Sequence, residues 1–203
     1  MNESGQTPGR ESGQVTDPAI AAYLAHHTPL AEERVTWGKE ADLTAWTLIA
    51  TAYTSGELPP LAAITSVRAI VFHGEHMLAL TEGDRTYITP GGRREQGEVP
   101  EAALRREVLE ESGWTIAIRR VLGFVHYCNL GPKPVLPPNH PYPLSYPHLF
   151  HPVYRAEALT YDPATLLPNE GEQVPFSLRP IAEVRRQNLT AVGRALLEAA
   201  LAT

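Results

Sequence analysis

The sequence predicts a mixed α/β protein in which helices and strands form layers. Short apolar runs rich in β-branched residues lie between residues 64 and 126 and again between 147 and 181. A helical segment from Pro100 to Ser112 separates the two sets and is followed by Gly113, a residue typical of helix ends. A second amphipathic segment covers residues 188–201. Strands, a helix, further strands and a last helix favour a layered α/β arrangement.

Length and composition indicate one globular domain with a helical extension. The chain has 203 residues, of which 43% are hydrophobic, which is enough for a substantial core. No apolar run approaches the ~18 residues that a membrane-spanning helix needs. Residues 1–17 lack the apolar stretch of a secretory signal and are predicted to be a disordered tail.

Charge and cysteine content narrow the class of partner. The formal net charge is −6, and without a run of basic residues a sequence-specific nucleic-acid binder is not expected. An anionic substrate therefore needs a bound cation to neutralise it. Cys128 is the single cysteine, so no disulfide forms within the chain and a cytoplasmic location is expected.

Residues 18–60 are predicted to form an N-terminal helical extension to a main domain at 61–203. Asp17-Pro18 and Thr28-Pro29 each place a capping side chain before a proline, as at helix starts. The apolar residues that follow recur at helical spacing: Leu43, Trp46, Ile49 and Tyr53. They are expected to pack on the main domain or on a second subunit, which leaves a homodimer open.

Within the main domain the expected strands and final helix follow from apolar patterning and turn residues. The strands are Val67–Phe72, Met77–Leu80, Arg85–Thr89, Trp114–His126, Pro147–Ala156 and Val174–Ile181, and the last helix is Asn188–Leu201. Residues 129–146 form a long proline-rich loop, and loops of this length are functional or mobile. We expect this loop to determine specificity.

Three carboxylates share one face of the central helix. Glu107, Glu110 and Glu111 have the spacing i, i+3 and i+4, so they span an arc of about 100°. Carboxylates this close repel one another, and a hard divalent cation with oxygen ligands removes that repulsion. Three glutamates alone would equally suit a solvated acidic helix face.

The wider pattern distinguishes these alternatives. It reads Gly92-x5-Glu98-x7-Arg106-Glu107-Val108-x-Glu110-Glu111-x-Gly113-Trp114. Nine such matches arise by chance in a chain of this composition with a frequency on the order of 10⁻⁷. The pattern resembles the Nudix box, with the aromatic Trp114 at its final aliphatic position. The flanking strands extend the resemblance to about residues 64–184.

The resemblance implies a Nudix fold, an α/β/α sandwich with a mixed sheet, and an Mg²⁺-dependent hydrolase, with Mn²⁺ as the alternative metal. It assigns the metal ligands to Glu107, Glu110, Glu111 and the Gly91 carbonyl. It assigns catalytic roles to Glu110, Glu111, Glu98 and Arg106, with Arg106 orienting a glutamate. The proton of the attacking water is expected to pass to Glu110, Glu111 or Glu172.

Further residues near the glycine turn and late in the chain are candidates for substrate binding. Arg93 and Arg94 follow the glycine turn and suit phosphate, although solvated loop arginines look the same in sequence. Tyr87 and Thr89 stand where the family carries tryptophan and leucine, which affects the pocket wall. Glu172, or its neighbour Glu170, is in the right region for a late carboxylate.

Other histidines and aromatics are weaker candidates. His148 and His151 are three apart in a strand and are expected to point to opposite faces, which argues against a paired metal site. A second set is expected either to stack on a base and close a lid or to pack at the surface: His140, Tyr142, Tyr146 and Phe150. Cys128 is expected to be a buried small residue and not a nucleophile.

The predicted reaction is the attack of water on a diphosphate within a nucleoside diphosphate joined to another group. The resemblance does not choose among nucleoside triphosphates, nucleotide sugars, dinucleotides and capped RNA. Three alternatives remain at this stage. They are a catalytically silent ligand-binding protein of the same fold, an isoprenoid-diphosphate isomerase that uses Cys128, and a scaffold that assembles through residues 17–55.

Overall fold

The structure is a computed structural model, and it describes residues 18–37, 46–95, 97–132, 146–166 and 175–202. The helices are α1 (Pro18–Ala25), α2 (Pro100–Ser112), α3 (Ile181–Val184) and α4 (Ala191–Leu201). The first four strands are β1 (Pro29–Trp37), β2 (Trp46–Thr54), β3 (Arg68–His73) and β4 (His76–Glu82). The others are β5 (Arg85–Tyr87), β6 (Trp114–Asn129), β7 (His148–Tyr161) and β8 (Ser177–Pro180).

The strands of the described residues form one mixed sheet. Their order is β1-β2-β6-β7-β3-β4-β5, and β8 pairs with β4. β3 runs parallel to β7, whereas β6 runs antiparallel to both of its neighbours, β2 and β7. The mixed sheet that the resemblance implied is therefore confirmed.

Helices cover both faces of this sheet. Successive strand residues point to opposite sides, so each buried strand presents apolar side chains to a helix on either face. On β3, Ala69 and Val71 pack in one apolar cluster with Leu104 and Val108 of α2. The alternate β3 residues pack in a second cluster with Leu196 and Leu197 of α4, on the other face. The predicted α/β/α sandwich is confirmed, with α2 and α4 as its outer layers.

The N-terminal region departs from the prediction after its first helix. α1 begins at Pro18 as expected, and its Ile20, Tyr23 and Leu24 pack on the apolar cluster that contains Phe124 and Phe150. The second predicted helix is wrong: the chain forms β1 from Pro29 and β2 from Trp46.

The strand assignment of β2 follows from burial with a period of two. Leu48, Ala50 and Ala52 are at most 1% exposed, and β2 pairs with β6 in unbroken antiparallel register from Leu48 to Thr54. Trp46, Ile49 and Tyr53 have helical spacing by coincidence, and Leu43 lies outside the described residues. β1 and β2 thereby join the same sheet as the strands after residue 61.

The later elements match their predictions with shifted ends. α2 has the predicted bounds, and Gly113 caps it in the left-handed conformation with φ 71°. β7 extends five residues past the predicted end, from Ala156 to Tyr161. The last predicted strand shortens to β8, because residues 181–184 turn into α3. Most of the predicted proline-rich loop, residues 133–145, lies outside the described residues, as does the N-terminal segment 1–17.

None of the helices in the described ranges has the length and apolar character that a bilayer crossing requires.

We expect Leu104→Ala to lower the free energy of unfolding by about 2–5 kcal/mol, because it leaves a cavity where α2 packs on β3. Leu104 is 0% exposed in the structure. The measurement is urea denaturation, with unfolding monitored by circular dichroism. Leu159→Ala is the matched control, since Leu159 is 55% exposed, and its effect should stay within about 0.5 kcal/mol. Equal losses in the two variants would contradict the assigned packing of α2.

Candidate active site

The glycine turn before α2 is joined to β3. The Val67 amide donates to the Gly92 carbonyl at 2.9 Å, and the Ala69 amide donates to the Pro90 carbonyl at 3.0 Å. Gly91 has φ 134°, and a Cβ at this position would overlap the Val67 carbonyl oxygen. Only glycine therefore allows the turn to lie this close to the strand.

The second glycine brings the turn against the acidic face of α2. A Cβ on Gly92 would overlap the carboxylate of Glu107. On the same helix Leu104 and Val108 are buried against the sheet, so Glu107 and Glu111 lie beside the buried stripe and are partly buried themselves. Glu107 and Glu111 therefore lie against the glycine turn.

Burial perturbs two of these carboxylates. Burial raises the pKa of Glu111, and a hydrogen bond that it accepts from the Gly91 amide at 2.7 Å opposes the shift. Burial also raises the pKa of Glu107, while Arg106 opposes that shift and the charge of Glu110 adds to it. Like charges in a partly buried place are the conditions that a bound cation relieves.

Arg106 is the centre of an ion-pair network. Its guanidinium is 3.0 Å from Glu98, 2.8 Å from Glu107 and 3.4 Å from Glu110. It also donates to the Arg93 carbonyl at 3.1 Å. The hydrogen bonds from Arg106 lower the pKa of Glu98. Arg106 thus orients several glutamates at once, where the resemblance implied one.

Arg68 is a site residue that the sequence analysis did not identify. It lies at the start of β3 and donates to the Gly91 carbonyl oxygen. Its charge also lowers the pKa of Glu107 and of Glu111, in opposition to burial. The signal in the sequence was a lone arginine within the apolar run Val67–Phe72.

The donor set suits a divalent cation in type and charge. The candidate ligands Glu107, Glu110, Glu111 and the Gly91 carbonyl supply only oxygen atoms, which Mg²⁺ and Mn²⁺ prefer. Across the described ranges, no three His, Cys, Asp or Glu side chains already converge as a metal site. Arg106 and the Gly91 amide engage the carboxylates in this arrangement. Binding of a cation by this set would therefore require these side chains, and the Arg68 guanidinium at the Gly91 carbonyl, to move.

The predicted substrate-binding residues differ in their placement. Arg94 donates to the backbone carbonyls of Glu98 and Leu61 at 3.2 and 3.1 Å, which gives it a role in fixing the loop. Arg93 lies beside β3, where it forms an isolated bridge with Ser66. Tyr87 is on β5 and is 41% exposed. Glu172 and Glu170 lie outside the described residues.

A buried histidine pair was also missed. His126 of β6 and His148 of β7 approach to 2.8 Å through their ring nitrogens. Burial, and then the neighbouring His148, lower the pKa of His126 to about 4. His151 instead stacks on Trp37, which agrees with the prediction that His148 and His151 point to opposite faces.

Cys128 is half-buried in β6, and burial raises the pKa of its thiol, as expected for a residue that is not a nucleophile.

Comparisons with known proteins identify the same region. A family model for the NUDIX domain matches residues 63–199. Among solved structures, a Nudix hydrolase of Nitrosomonas europaea is 19% identical, with a TM-score of 0.51 over 68% of this chain and 89% of that chain. A pyrophosphohydrolase of Bacillus subtilis is 19% identical, with a TM-score of 0.49 over 83% and 94%. No curated protein matched the sequence.

We expect Glu111→Gln to stabilise the metal-free protein at neutral pH. Since the pKa of Glu111 is raised above 4.5, its ionisation removes stability as the pH rises from about 4.5 through the raised value. Glutamine avoids that penalty and still accepts the Gly91 hydrogen bond. In chelator, Tm should rise by about 2–4 °C, equivalent to about 1 kcal/mol in a chain of this size. The difference should vanish below pH 4.5.

Glu98→Gln is the control variant, and its Tm should change in the opposite direction. Because the pKa of Glu98 is lowered below 4.5, its stabilisation is present above pH 4.5 and is lost as the pH falls through the lowered value. This variant should therefore have a lower Tm than the wild type at neutral pH. A common direction for both variants would refute the electrostatic assignment.

Proposed function

Because this chain belongs to the family of Nudix hydrolases, which are pyrophosphohydrolases, we propose that it cleaves the diphosphate linkage of a nucleoside diphosphate joined to another group. The observation that carries the proposal is that Glu107 and Glu110 of α2 pair with Arg106, while Glu111 of the same helix accepts a hydrogen bond from the Gly91 amide. The proposed cofactor is Mg²⁺, with Mn²⁺ as the alternative, and the proposed location is the cytoplasm.

The proposed metal ligands are Glu107, Glu110, Glu111 and the Gly91 carbonyl. The chemistry that a divalent cation supplies when bound is polarisation of the phosphoryl oxygens and a lower pKa for the attacking water. The chain itself supplies the orientation: the Gly91 amide holds Glu111 at 2.7 Å, and Arg106 holds Glu98 at 3.0 Å. Preset groups of this kind lower the reorganisation that the reaction requires.

Glu110 is the proposed general base. Its side chain is 31% exposed, whereas those of Glu98 and Glu107 are 16% and 17% exposed, so a water molecule reaches Glu110 most easily. Its partner Arg106 lies at 3.4 Å, the longest of the three ion pairs, and releases it at the lowest cost. Glu111 is engaged by the Gly91 amide, and Glu172 remains an alternative base.

We expect Glu110→Gln to reduce kcat by at least about 100-fold, since general-base catalysis contributes about 10²–10⁴-fold. The measurement is phosphate release, coupled to a phosphatase, across nucleoside triphosphates, nucleotide sugars, dinucleotides and capped RNA, with Mg²⁺ and with Mn²⁺. Turnover of one class that disappears in the variant supports the hydrolase and identifies its substrate.

Glu101→Gln is the matched control for this assay. Glu101 lies in the first turn of the same helix and accepts a hydrogen bond from the Tyr154 hydroxyl at 3.0 Å, which glutamine also accepts. Its kcat should be close to that of the wild type. If folded, metal-loaded wild-type protein turns over no substrate class, the result favours the catalytically silent ligand-binding alternative.

A further inference from the structure

Three aromatic rings meet on the sheet face that carries α4. They are Trp37 at the end of β1, Tyr127 on β6 and His151 on β7, and together they are called the aromatic cluster below. The Trp37 and His151 rings are nearly parallel, with an interplanar angle of 13° and centroids 5.8 Å apart. Tyr127 lies 4.7 Å from Trp37 and 4.6 Å from His151.

The aromatic cluster combines a buried imidazole with two partly exposed rings. His151 is 6% exposed, and burial lowers its pKa well below the usual value, so the imidazole is uncharged at neutral pH. Trp37 and Tyr127 remain partly exposed. Trp46, the cross-strand partner of Trp37, adds a fourth ring at 6.5 Å.

Arg68 connects the aromatic cluster to the carboxylates. Arg68 is the register partner of Val153 on the neighbouring strand β7, and His151 lies two residues before Val153, so Arg68 and His151 share one face of the sheet. The Arg68 guanidinium donates to the Gly91 carbonyl and influences Glu107. Arg68 therefore lies between the glycine turn beside the carboxylates and the partly exposed rings of the aromatic cluster.

This order matches the order of groups in a nucleotide. We propose that the aromatic cluster binds the nucleobase of the substrate by stacking on Trp37 and Tyr127, with Arg68 facing the adjoining phosphate. The inference rests on the proposed function, because it extends the same site from the diphosphate to the nucleoside. An aromatic surface suits a heterocycle of either size, since every base has a π-face that stacks on it.

Packing alone is the competing explanation. Tyr127 touches the core cluster beneath α4, so the rings also contribute to stability. A packing role predicts that a change at Trp37 affects all ligands equally. A stacking role predicts a loss that is restricted to ligands with a base.

Binding to the metal-free protein tests this difference without requiring turnover. AMP, UMP and ribose 5-phosphate are titrated in chelator against wild-type protein, Trp37→Leu and Trp37→Phe, by calorimetry and by tryptophan fluorescence. We expect Trp37→Leu to weaken AMP and UMP binding by about 5- to 150-fold, the range for loss of one stacking contact. Ribose 5-phosphate should bind equally to all three proteins, and Trp37→Phe should retain most of the affinity for both nucleotides.

Fluorescence provides a second readout with its own control. Trp114 packs between His73 and Tyr161, away from the aromatic cluster, so Trp114→Phe should preserve the quenching by AMP that Trp37→Phe reduces. If Trp37→Leu does not fold, nuclear Overhauser contacts between AMP base protons and the Trp37 indole of wild-type protein decide the question. Absence of these contacts, or equal affinity of wild-type protein for AMP and ribose 5-phosphate, would overturn the inference.

The outcome is separable from that of the proposed hydrolysis. Base-dependent AMP binding by a protein that hydrolyses no diphosphate would support nucleobase binding at the aromatic cluster and contradict the proposed hydrolysis. Hydrolysis of a nucleoside diphosphate derivative with unchanged kcat/KM in Trp37→Leu would support the hydrolysis and contradict nucleobase binding at the aromatic cluster.

Discussion

The repulsion among the carboxylates of α2 is the constraint on which the site is built. Glu107 and Glu111 are raised in pKa by burial, so the folded chain holds charges where water solvates them poorly. Two arginines limit that cost. Arg106 pairs with Glu98, Glu107 and Glu110. The charge of Arg68 lowers the pKa of Glu107 and of Glu111, and its guanidinium also donates to the Gly91 carbonyl. A cation that binds here takes over a role that the chain performs with guanidinium groups.

Much of this site follows from local sequence, because a helix fixes which residues share a face. The spacing of Glu107, Glu110 and Glu111 was sufficient to place them on one face of a helix, and Gly113 marked the end of that helix correctly. The same logic does not assign partners. Arg94 has the same sequence context as a phosphate ligand, yet it donates to two backbone carbonyls. Arg68 lies 39 positions before Glu107, and only the pairing of β3 with the glycine turn brings it close.

The N-terminal region shows why periodicity alone was insufficient. In a nine-residue segment such as β2, a few apolar residues satisfy both a helical and a strand period. The strand prevails because β6 offers a complete antiparallel partner and because Leu48 and Ala50 reach the core from it. That partner is about 75 residues away in sequence, so the decisive interaction is invisible to a local pattern. The start of α1 was predictable because its signal, a proline at the first helical position, is local. The signal for β2 is a distant strand, so it was not predictable in this way.

Local and long-range information therefore supply different parts of one site. The proposed catalytic carboxylates come from a single helix and its preceding turn, so they are readable from the 23 consecutive residues from Gly92 to Trp114. The aromatic cluster draws one ring from each of three strands that are distant in sequence: Trp37, Tyr127 and His151. Its composition depends on the order and register of the sheet, which can change without disturbing the helix. In the proposed function the carboxylates of α2 act on the diphosphate and the aromatic cluster faces the rest of the substrate, and Arg68 at the start of β3 is where the two parts meet.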